Sequence, residues 1–356
     1  MLVIDGSYGE GGGAVLRNSL SLSAVLGQET RLENIRARRR NPGLQAQHLT
    51  AVRALSAACR AELEGAELGS LSLTFRPRSG LRSGEYAWDV AEARQGGSAG
   101  ATSLVFQALA VPLLSAEGDS TLILRGGTHV SWSPPFHYLQ SVYLPTLRQM
   151  GAESQVDIER WGWYPMGGGL MTAQIAGLGR NLSSLEGISA SSRGPLKGLS
   201  GISATSNLPG HIAQRQKAQA EKALGAEGLE AHIELFDAPA QGQGTVVFLV
   251  AEFEKARAGF TALGRKGKPA EKVADEACQQ FLRYYHSGAA LDQHLADQLV
   301  IPLSLAKGPS SFTTCRITKH LLTNAWIVEQ FLGQCVNIKS AEGEAGEVSI
   351  VGRAHV

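Results

Sequence analysis

The chain has 356 residues, with 33 Lys and Arg against 32 Asp and Glu, and 43% of its residues are apolar. Such an apolar fraction is too high for a disordered chain, and the balanced charge argues against a protein that coats nucleic acid along its length. The four cysteines lie far apart without CxxC spacing, which argues against a zinc ribbon or a disulfide framework. With no signal-peptide pattern and no long apolar run, we expect a cytoplasmic protein of about two domains.

Three segments of the chain share one pattern, in which a start rich in Gly, Ala and Ser leads into an apolar helix. The segments cover residues 11–28, 97–116 and 287–308. A strand-like stretch, a second helical pattern and further strand-like stretches follow each segment. This recurrence predicts an α/β (α+β) fold built from three repeats, each with two helices and a sheet.

The spacing of the repeats predicts an inserted domain. Leu16 and Phe106 are about 90 residues apart, whereas Phe106 and Leu299 are about 193 apart, an excess the size of a small domain. We place a small α/β insert at residues 185–269, between the second and third repeats, and a large domain at residues 1–184 and 270–356. The helical pattern at residues 270–286 is expected to return to the large domain.

The first candidate site is the Gly-rich stretch at residues 5–13, DGSYGEGGG, which runs directly into a helix. Backbone N–H groups at such a helix start bind anions. The stretch lacks the Lys of a phosphate-binding Walker A loop, but Glu10 suits a divalent cation placed between carboxylate and phosphate. The alternative is a tight turn that needs Gly only for its backbone angles.

The second candidate site is an arginine cluster, with four Arg in the five positions from Arg36 to Arg40. Guanidinium groups bind phosphate in a bidentate manner, and no acidic residue lies within the cluster. Phosphate binding is therefore favoured over a solvated run of charge. Pro42 and Gly43 place the cluster in a loop that begins a helix.

The third candidate site is His320, at the start of an apolar helix, with Thr323 and Asn324 beside it and Asp297 in the preceding helix. A helix start disfavours imidazolium and keeps a lone pair free, so His320 is a candidate nucleophile. The alternative is an ordinary surface histidine. The aromatic run at residues 160–169 is interpreted as core at a strand end rather than as a base-stacking surface.

Several of these segments together resemble the RNA 3′-terminal phosphate cyclase family, in order, over about residues 3–352. They are DGSYGEGGGAVLRNSLSLS, IRARRRNPGLQAQHLTAV, EGAELGS, GGSAGATSLVFQ, YPMGGG, HLADQLVIPLSLA and HLLTNAWIVEQFL. The resemblance implies three repeats of a two-helix, four-stranded-sheet unit, with a small domain inserted between the second and third. It also implies ATP and a divalent metal, usually Mg²⁺, acting on an RNA with a 3′-phosphate end.

The implied chemistry has three steps. A histidine takes AMP from ATP, AMP passes to the RNA 3′-phosphate to give an RNA(3′)pp(5′)A end, and the neighbouring 2′-hydroxyl displaces AMP to leave a 2′,3′-cyclic phosphate. In this chain the adenylylated histidine corresponds to His320, and the metal ligand to Glu10. The resemblance also assigns the nucleotide-binding residues Gln107, Pro134, His294, Asp297, Gln298, Glu10 and Arg17, and the RNA-phosphate residues Arg36, Arg39, Gln47 and His48.

The chain departs from the family pattern at two positions. His294 stands where relatives have tyrosine, and Asn41 where a lysine can occur before Pro-Gly. Three other functions stay open: a noncatalytic relative involved in RNA processing or ribosome biogenesis, an enolpyruvyl transferase, and a plain RNA-binding module. Keeping His320 within HLLTN argues against the first, and covalent labelling by ATP separates all three from the cyclase.

Overall fold

Four four-stranded sheets and the helices that pack on them make up the computed structural model, which describes residues 1–95, 97–180, 182 and 184–353. Within those residues, no helix combines the length and apolar character needed to cross a membrane.

The first repeat begins at the amino terminus. Its elements are β1 (Leu2–Asp5), α1 (Gly13–Leu26), β2 (Thr30–Glu33), α2 (Ala46–Cys59), β3 (Glu62–Glu64) and β4 (Leu73–Arg76). The strand order is β1-β2-β4-β3, with β1 and β2 parallel and the other pairs antiparallel. Leu32 lies opposite Ile4 on one side and Leu73 on the other, so the alternation of buried side chains sets the register.

The second repeat has the same plan. Its elements are β5 (Gly84–Asp89), α3 (Thr102–Leu114), β6 (Ser120–Gly126), α4 (Phe136–Tyr138), α5 (Leu144–Gln149), β7 (Ser154–Arg160) and β8 (Gly169–Ile175). Helix α3 is buried on nearly all sides, as its continuous apolar run predicts. A π-helical turn at Leu139–Tyr143 joins α4 to α5 just before Pro145, which lacks the N–H of a regular helix.

The chain then forms β9 (Ser189–Ala190) and enters an inserted unit. The unit contains β10 (Leu196–Ser206), α6 (His211–Gly225), β11 (His232–Asp237), β12 (Gly244–Phe253), β13 (Arg257–Leu263) and α7 (Ala270–Ser287). Its strand order is β11-β10-β12-β13, with only β10 and β11 parallel, which differs from the order of the repeats.

The third repeat is completed after the inserted unit. Its remaining elements are α8 (Gln293–Leu305), β14 (Pro309–Thr314), α9 (Lys319–Leu332), β15 (Val336–Lys339) and β16 (Gly346–Val351). The order β9-β14-β16-β15, with β9 parallel to β14 and the other pairs antiparallel, matches the first two sheets. The predicted α+β fold of three two-helix, four-stranded repeats with an insert is therefore confirmed.

Two expectations about the insert need correction. Strand β9 pairs with β14, so the insertion lies inside the third repeat, after its first strand. Helix α7 was expected to return to the large domain, but its apolar face, including Val273 and Phe281, packs in one core with the inserted sheet. The periodicity of an amphipathic helix shows which face is buried but not what covers it. Residues 181 and 183 of the predicted linker lie outside the described residues. We propose an inserted unit of about residues 191–288.

Helices of different repeats make the main core. Helices α1, α2, α3, α8 and α9 contact one another, and their buried side chains form a single apolar cluster with the inner faces of the three repeat sheets. Trp161 and Trp163 are buried between the second sheet and the inserted unit, as the interpretation of the aromatic run as core predicts, but that interpretation is wrong for Tyr164, which is 77% exposed. This packing brings the beginnings of several helices to one place.

Candidate active site

A cleft of about 1300 Å³ opens where the three repeats and the inserted unit meet. Residues at or near the beginnings of α1, α2, α8 and α9 line it, and helix beginnings carry partial positive charge. All twelve residues that the family resemblance assigns to the site line this cleft: Glu10, Arg17, Arg36, Arg39, Gln47, His48, Gln107, Pro134, His294, Asp297, Gln298 and His320.

The Gly-rich loop before α1 lies against the beginning of α9. The backbone N–H of Glu10 donates a hydrogen bond to Thr323 Oγ1 at 3.0 Å. Gly9 has φ +58°, and a Cβ there would lie 2.2 Å from the same Thr323 oxygen, so this position needs glycine for conformation and for space. The loop thus joins the first repeat to the third at the site.

Glu10 is the acidic side chain at the centre of this junction. Its side chain is 6% exposed, and Oε2 forms an ion pair with Arg39, which also donates to the Glu10 backbone oxygen at 2.6 Å. Oε1 is buried, has no hydrogen-bond partner among the described residues, and lies 4.0 Å from His320 Nδ1. A buried carboxylate oxygen without a partner is ready to bind a cation or a proton donor.

His320 is the second residue of α9, whose first turn is capped by Thr318 through a 3.0 Å hydrogen bond from the Leu321 N–H. Although 54% of the side chain is exposed, its surroundings shift the pKa of the imidazole. Loss of solvation lowers the pKa of His320, Glu10 opposes this, and Arg17 with other nearby basic groups lowers the pKa further. The ring is therefore neutral at pH 7 and keeps a free lone pair.

His48 lies in the first turn of α2 and, unlike His320, is shielded from solvent. It is buried, and its Nδ1 accepts a 3.1 Å hydrogen bond from the Gln45 N–H. Burial, together with Arg17 and Arg36, lowers the pKa of His48 well below its usual value. The proton of the neutral ring is therefore on Nε2, and a Cβ on Gly13 would lie 2.4 Å from that nitrogen. His48 is thus a fixed hydrogen-bond donor beside the Gly-rich loop.

Only part of the arginine cluster lies in the cleft. Arg36 and Arg39 line the cleft, whereas Arg38 and Arg40 are exposed outside it. Arg36 Nη1 donates to the backbone oxygens of Asn41 and Gly43 at 2.6 and 2.8 Å, so part of this guanidinium holds its own loop.

Arg17, one turn into α1, completes the basic wall of the cleft. Burial lowers the pKa of Arg17 to about 10, against the opposing effect of Glu10, so the side chain stays charged at neutral pH. Two of the four arginines in the sequence cluster, Arg36 and Arg39, thus line the cleft, and Arg17 lines it beside them.

Residues of α3 and α8 form the opposite wall. Gln107 Nε2 donates to Gln298 Oε1 at 2.5 Å, and Asp297 Oδ1 accepts from Thr318 Oγ1 at 2.5 Å. Burial raises the pKa of Asp297 well above its usual value, and the Thr318 hydrogen bond opposes that shift. This network ties the α8 wall to the helix that carries His320.

The remaining predicted residues lie at the margins. His294 is exposed on α8, and Pro134 lies on the loop between β6 and α4. Gln47 Oε1 accepts a 3.0 Å hydrogen bond from the Ala101 N–H, so the Gln47 side chain also holds the residue that precedes α3.

Sequence reasoning missed several polar residues of the cleft and its support. Thr318 and Asp292 cap α9 and α8, and a Thr or Asp before an apolar helix is a signal that reveals such caps. Arg265 and Lys268 of the inserted unit also line the cleft. No local signal identifies them, because only the folding of the inserted unit brings them to the site.

The side chains of the cleft suit a metal ion that is bound mainly through phosphates better than one that is bound by protein ligands alone. Nowhere in the described ranges do three or more His, Cys, Asp or Glu side chains gather as a metal site. A metal cage made of protein ligands alone therefore does not fit. Mg²⁺ that arrives on substrate phosphates needs only one or two carboxylates, and the unpartnered Oε1 of Glu10 fits that requirement.

The cleft gathers basic side chains and a histidine with a lowered pKa around the buried carboxylate of Glu10, an arrangement that suits the binding of phosphate groups. The sequence pattern of the family described as RNA 3′-terminal phosphate cyclase matches residues 8–338, and the chain belongs to this family.

Named relatives cover nearly the whole chain. A protein of Methylococcus capsulatus named RNA 3′-terminal phosphate cyclase is 52% identical, over 99% of this chain and 97% of its own length. Proteins of the same name from Nostoc punctiforme and Pyrococcus furiosus are 46% and 41% identical, covering 93% and 99% of this chain and 94% and 100% of their own lengths.

Proposed function

We propose that this enzyme uses ATP to convert an RNA 3′-terminal phosphate into a 2′,3′-cyclic phosphodiester, through a histidine–AMP and an RNA(3′)pp(5′)A intermediate. The observation that carries the proposal is the position of neutral His320 at the beginning of α9, facing Glu10 across 4.0 Å in a cleft that Arg17 also lines. Family membership supports the overall reaction, and the cleft geometry supports the assignment of roles.

In the first step His320 attacks the α-phosphorus of ATP. Its Nδ1 faces Glu10, so Nε2 is the nucleophilic nitrogen and the Nδ1 proton stays toward the carboxylate. A bond forms between Nε2 and phosphorus, the bond from phosphorus to the bridging oxygen breaks, and pyrophosphate leaves. Arg17 and the beginning of α1 stabilise the negative charge on the phosphates. Mg²⁺ carried by the triphosphate and held by Glu10 would supply further charge neutralisation.

In the second step an oxygen of the RNA 3′-phosphate attacks the phosphorus of the histidine–AMP, and the bond to Nε2 breaks. Arg36 and Arg39 bind the incoming phosphate, and His48 donates a hydrogen bond to it from Nε2. In the third step the 2′-hydroxyl oxygen bonds to the 3′-phosphorus as its proton passes to solvent water, the bond from that phosphorus to the bridging oxygen breaks, and AMP leaves. The hydroxyl is already adjacent to that phosphorus, so ring closure needs little further ordering.

The nucleotide is bound by the second and third repeats. We assign its base and sugar to the wall that holds Gln107, Pro134, His294, Asp297 and Gln298. The four cysteines are free, which suits a reducing compartment, and we propose that the enzyme acts in the cytoplasm.

Covalent labelling tests this function. Purified protein is incubated with α-³²P-ATP and Mg²⁺ and run on a denaturing gel beside His320→Asn. His286→Asn is the matched control, since the His286 side chain is similarly exposed at 60% and pairs with Glu227 away from the cleft. We expect label on the wild type and on His286→Asn, stable in alkali and lost in acid, and none on His320→Asn.

An RNA with a 3′-phosphate should then release the label and gain a cyclic end. ATP binding without label on the folded wild type, across several divalent metals, would contradict the proposal. That outcome favours the alternative of a noncatalytic family member that takes part in RNA processing.

A further inference from the structure

Trp132 is the most exposed large apolar side chain in the part of the chain that the structure describes, with 99% of its surface accessible. Tryptophan usually buries most of its ring, because the indole carries a large apolar surface. Trp132 lies instead on the loop between β6 and α4 and forms part of the cleft lining. The position at the mouth of a substrate cleft indicates a function rather than a packing role.

The loop holds the ring outward by its own structure. Trp132 has φ +67°, a left-handed conformation that is rare for a bulky side chain. On either side, Ser133 Oγ donates to the Val130 oxygen at 2.9 Å, and the Phe136 N–H donates to the Thr128 oxygen at 3.1 Å. Val130 is buried against Ala101 and Leu104. The backbone around the ring is therefore anchored, and the indole itself is free to contact a ligand.

The charge of the cleft shows what kind of molecule reaches this ring. Among the described residues, seven cationic side chains line it, against four acidic ones: Arg17, Arg36, Arg39, Arg265, Lys268, Arg316 and Lys319, against Glu10, Glu276, Asp297 and Glu342. The whole chain has a net charge of only +1, so positive charge is concentrated here. An exposed aromatic ring beside a basic groove is the combination that binds single-stranded nucleic acid, with phosphates on the cations and a base on the ring.

We propose that Trp132 stacks on a nucleobase of the RNA at or next to its 3′ end, while the terminal phosphate lies at Arg36 and Arg39. This inference rests on the proposed function, because it takes an RNA 3′-phosphate as the ligand. The adenine of ATP is the other base in the reaction, but its wall lies around Pro134 and His294. Every nucleobase has a stacking face, so the contact adds affinity without selecting a sequence.

Binding and labelling measurements on Trp132→Ala and Trp132→Phe test the inference. Tyr164→Ala is the matched control, because Tyr164 is also an exposed aromatic residue, at 77%, and is not among the residues that line the cleft. The ligand is a fluorescent single-stranded RNA with a 3′-phosphate, followed by anisotropy. We expect Trp132→Ala to weaken binding by about 10-fold, within about 5- to 100-fold. Trp132→Phe and Tyr164→Ala should stay within about 2-fold of the wild type.

An abasic nucleotide identifies the stacked base. Placed at the terminal or the penultimate position, it should weaken binding to the wild type by the same factor as Trp132→Ala, and should have no further effect on that variant. Labelling by α-³²P-ATP without RNA is the second readout, and it should not depend on residue 132.

Two results would overturn the inference. One is unchanged RNA affinity in Trp132→Ala. The other is a loss of ATP labelling in proportion to the loss of RNA affinity, which would place the ring on the adenine of ATP. Failure of the proposed function is distinguishable, since an unlabelled wild type still allows the RNA affinities of the variants to be compared.

Discussion

His48 and His320 stand in the first turn of the second helix of their repeats, and both line the same cleft. His48 is 3% exposed and its Nδ1 is occupied by the Gln45 N–H, whereas the His320 side chain is 54% exposed and its Nδ1 faces an unpartnered carboxylate oxygen. The repeated fold thus places a histidine in the first turn of the corresponding helix twice. The contacts of each ring decide whether the histidine is a fixed donor or a candidate nucleophile.

The second repeat also has a histidine in the first turn of its second helix. His137 is the second residue of α4 and lies against Trp161, with its Nδ1 3.0 Å from His129 Nε2. Burial lowers the pKa of His137 to about 4. This histidine belongs to the contact between the second repeat and the inserted unit. Histidines in the first turns of three corresponding helices therefore have three roles, and the neighbouring elements distinguish them.

Replacing His320 should remove the nucleophile and leave His48 unable to take its place. His320→Gln should lower covalent labelling by ATP at least about 1,000-fold, because no other nitrogen replaces the nucleophile. Quantitative labelling with α-³²P-ATP measures this loss, and an unchanged melting temperature shows that the variant is folded. Label at full strength on His320→Gln would contradict the assignment of His320 as the nucleophile.

Changing His48 should affect a later step. His48→Leu removes the Nε2 donor and the Nδ1 acceptor, and we expect cyclisation of RNA 3′-phosphate to fall about 100-fold while label on His320 is retained. Loss of the capping contact should also cost about 1 kcal/mol of unfolding free energy. His48→Gln, which keeps a capping box, should recover the stability and part of the rate. Single-turnover kinetics measure the effect on rate, and urea unfolding measures the effect on stability. Equal losses of rate in the two variants would show that the capping contact of His48 does not contribute to the rate.

The pH dependence of labelling should report the surroundings of His320. The neutral ring is the nucleophile and its pKa is lowered, so labelling should persist below pH 6.5 and decline as the pH falls through the shifted pKa. Glu10→Gln should move the midpoint to lower pH, because Glu10 raises the pKa of His320, and Arg39→Gln should move it to higher pH, by up to about one unit each. Imidazole titration by NMR, assigned with His320→Gln, measures these midpoints without ATP. Shifts in the opposite directions would contradict the electrostatic account.

Replacing Thr318 should weaken the beginning of the helix that carries His320. Thr318→Ala removes the cap of α9 and the hydrogen bond to Asp297, and should lower the unfolding free energy by about 1 kcal/mol. Thr318→Ser retains both contacts and serves as the control. Thermal unfolding measures the difference, and labelling should decline several-fold with the cap. An equal stability of the two variants would show that α9 is held by packing alone.

Much of this protein was predictable from its sequence because the signals are local. Apolar periodicity placed the helices of the three repeats, and their recurrence and spacing predicted the insert. Glycines before α1 and a run of arginines before α2 pointed to a phosphate site, and the order of the segments pointed to the family. These features depend on residues close together in the chain, where backbone geometry and side-chain period are sufficient.

The tertiary structure alone decided what each of these features contacts. The sequence has Glu10 more than 300 residues from His320, and only the packing of α1 against α9 places Oε1 4.0 Å from Nδ1. Packing also assigned α7 to the inserted unit, put two of the four clustered arginines into the cleft, and left Trp132 exposed at its mouth. Periodicity specifies that a face is buried, but the partner and the resulting charge environment depend on how distant segments pack together.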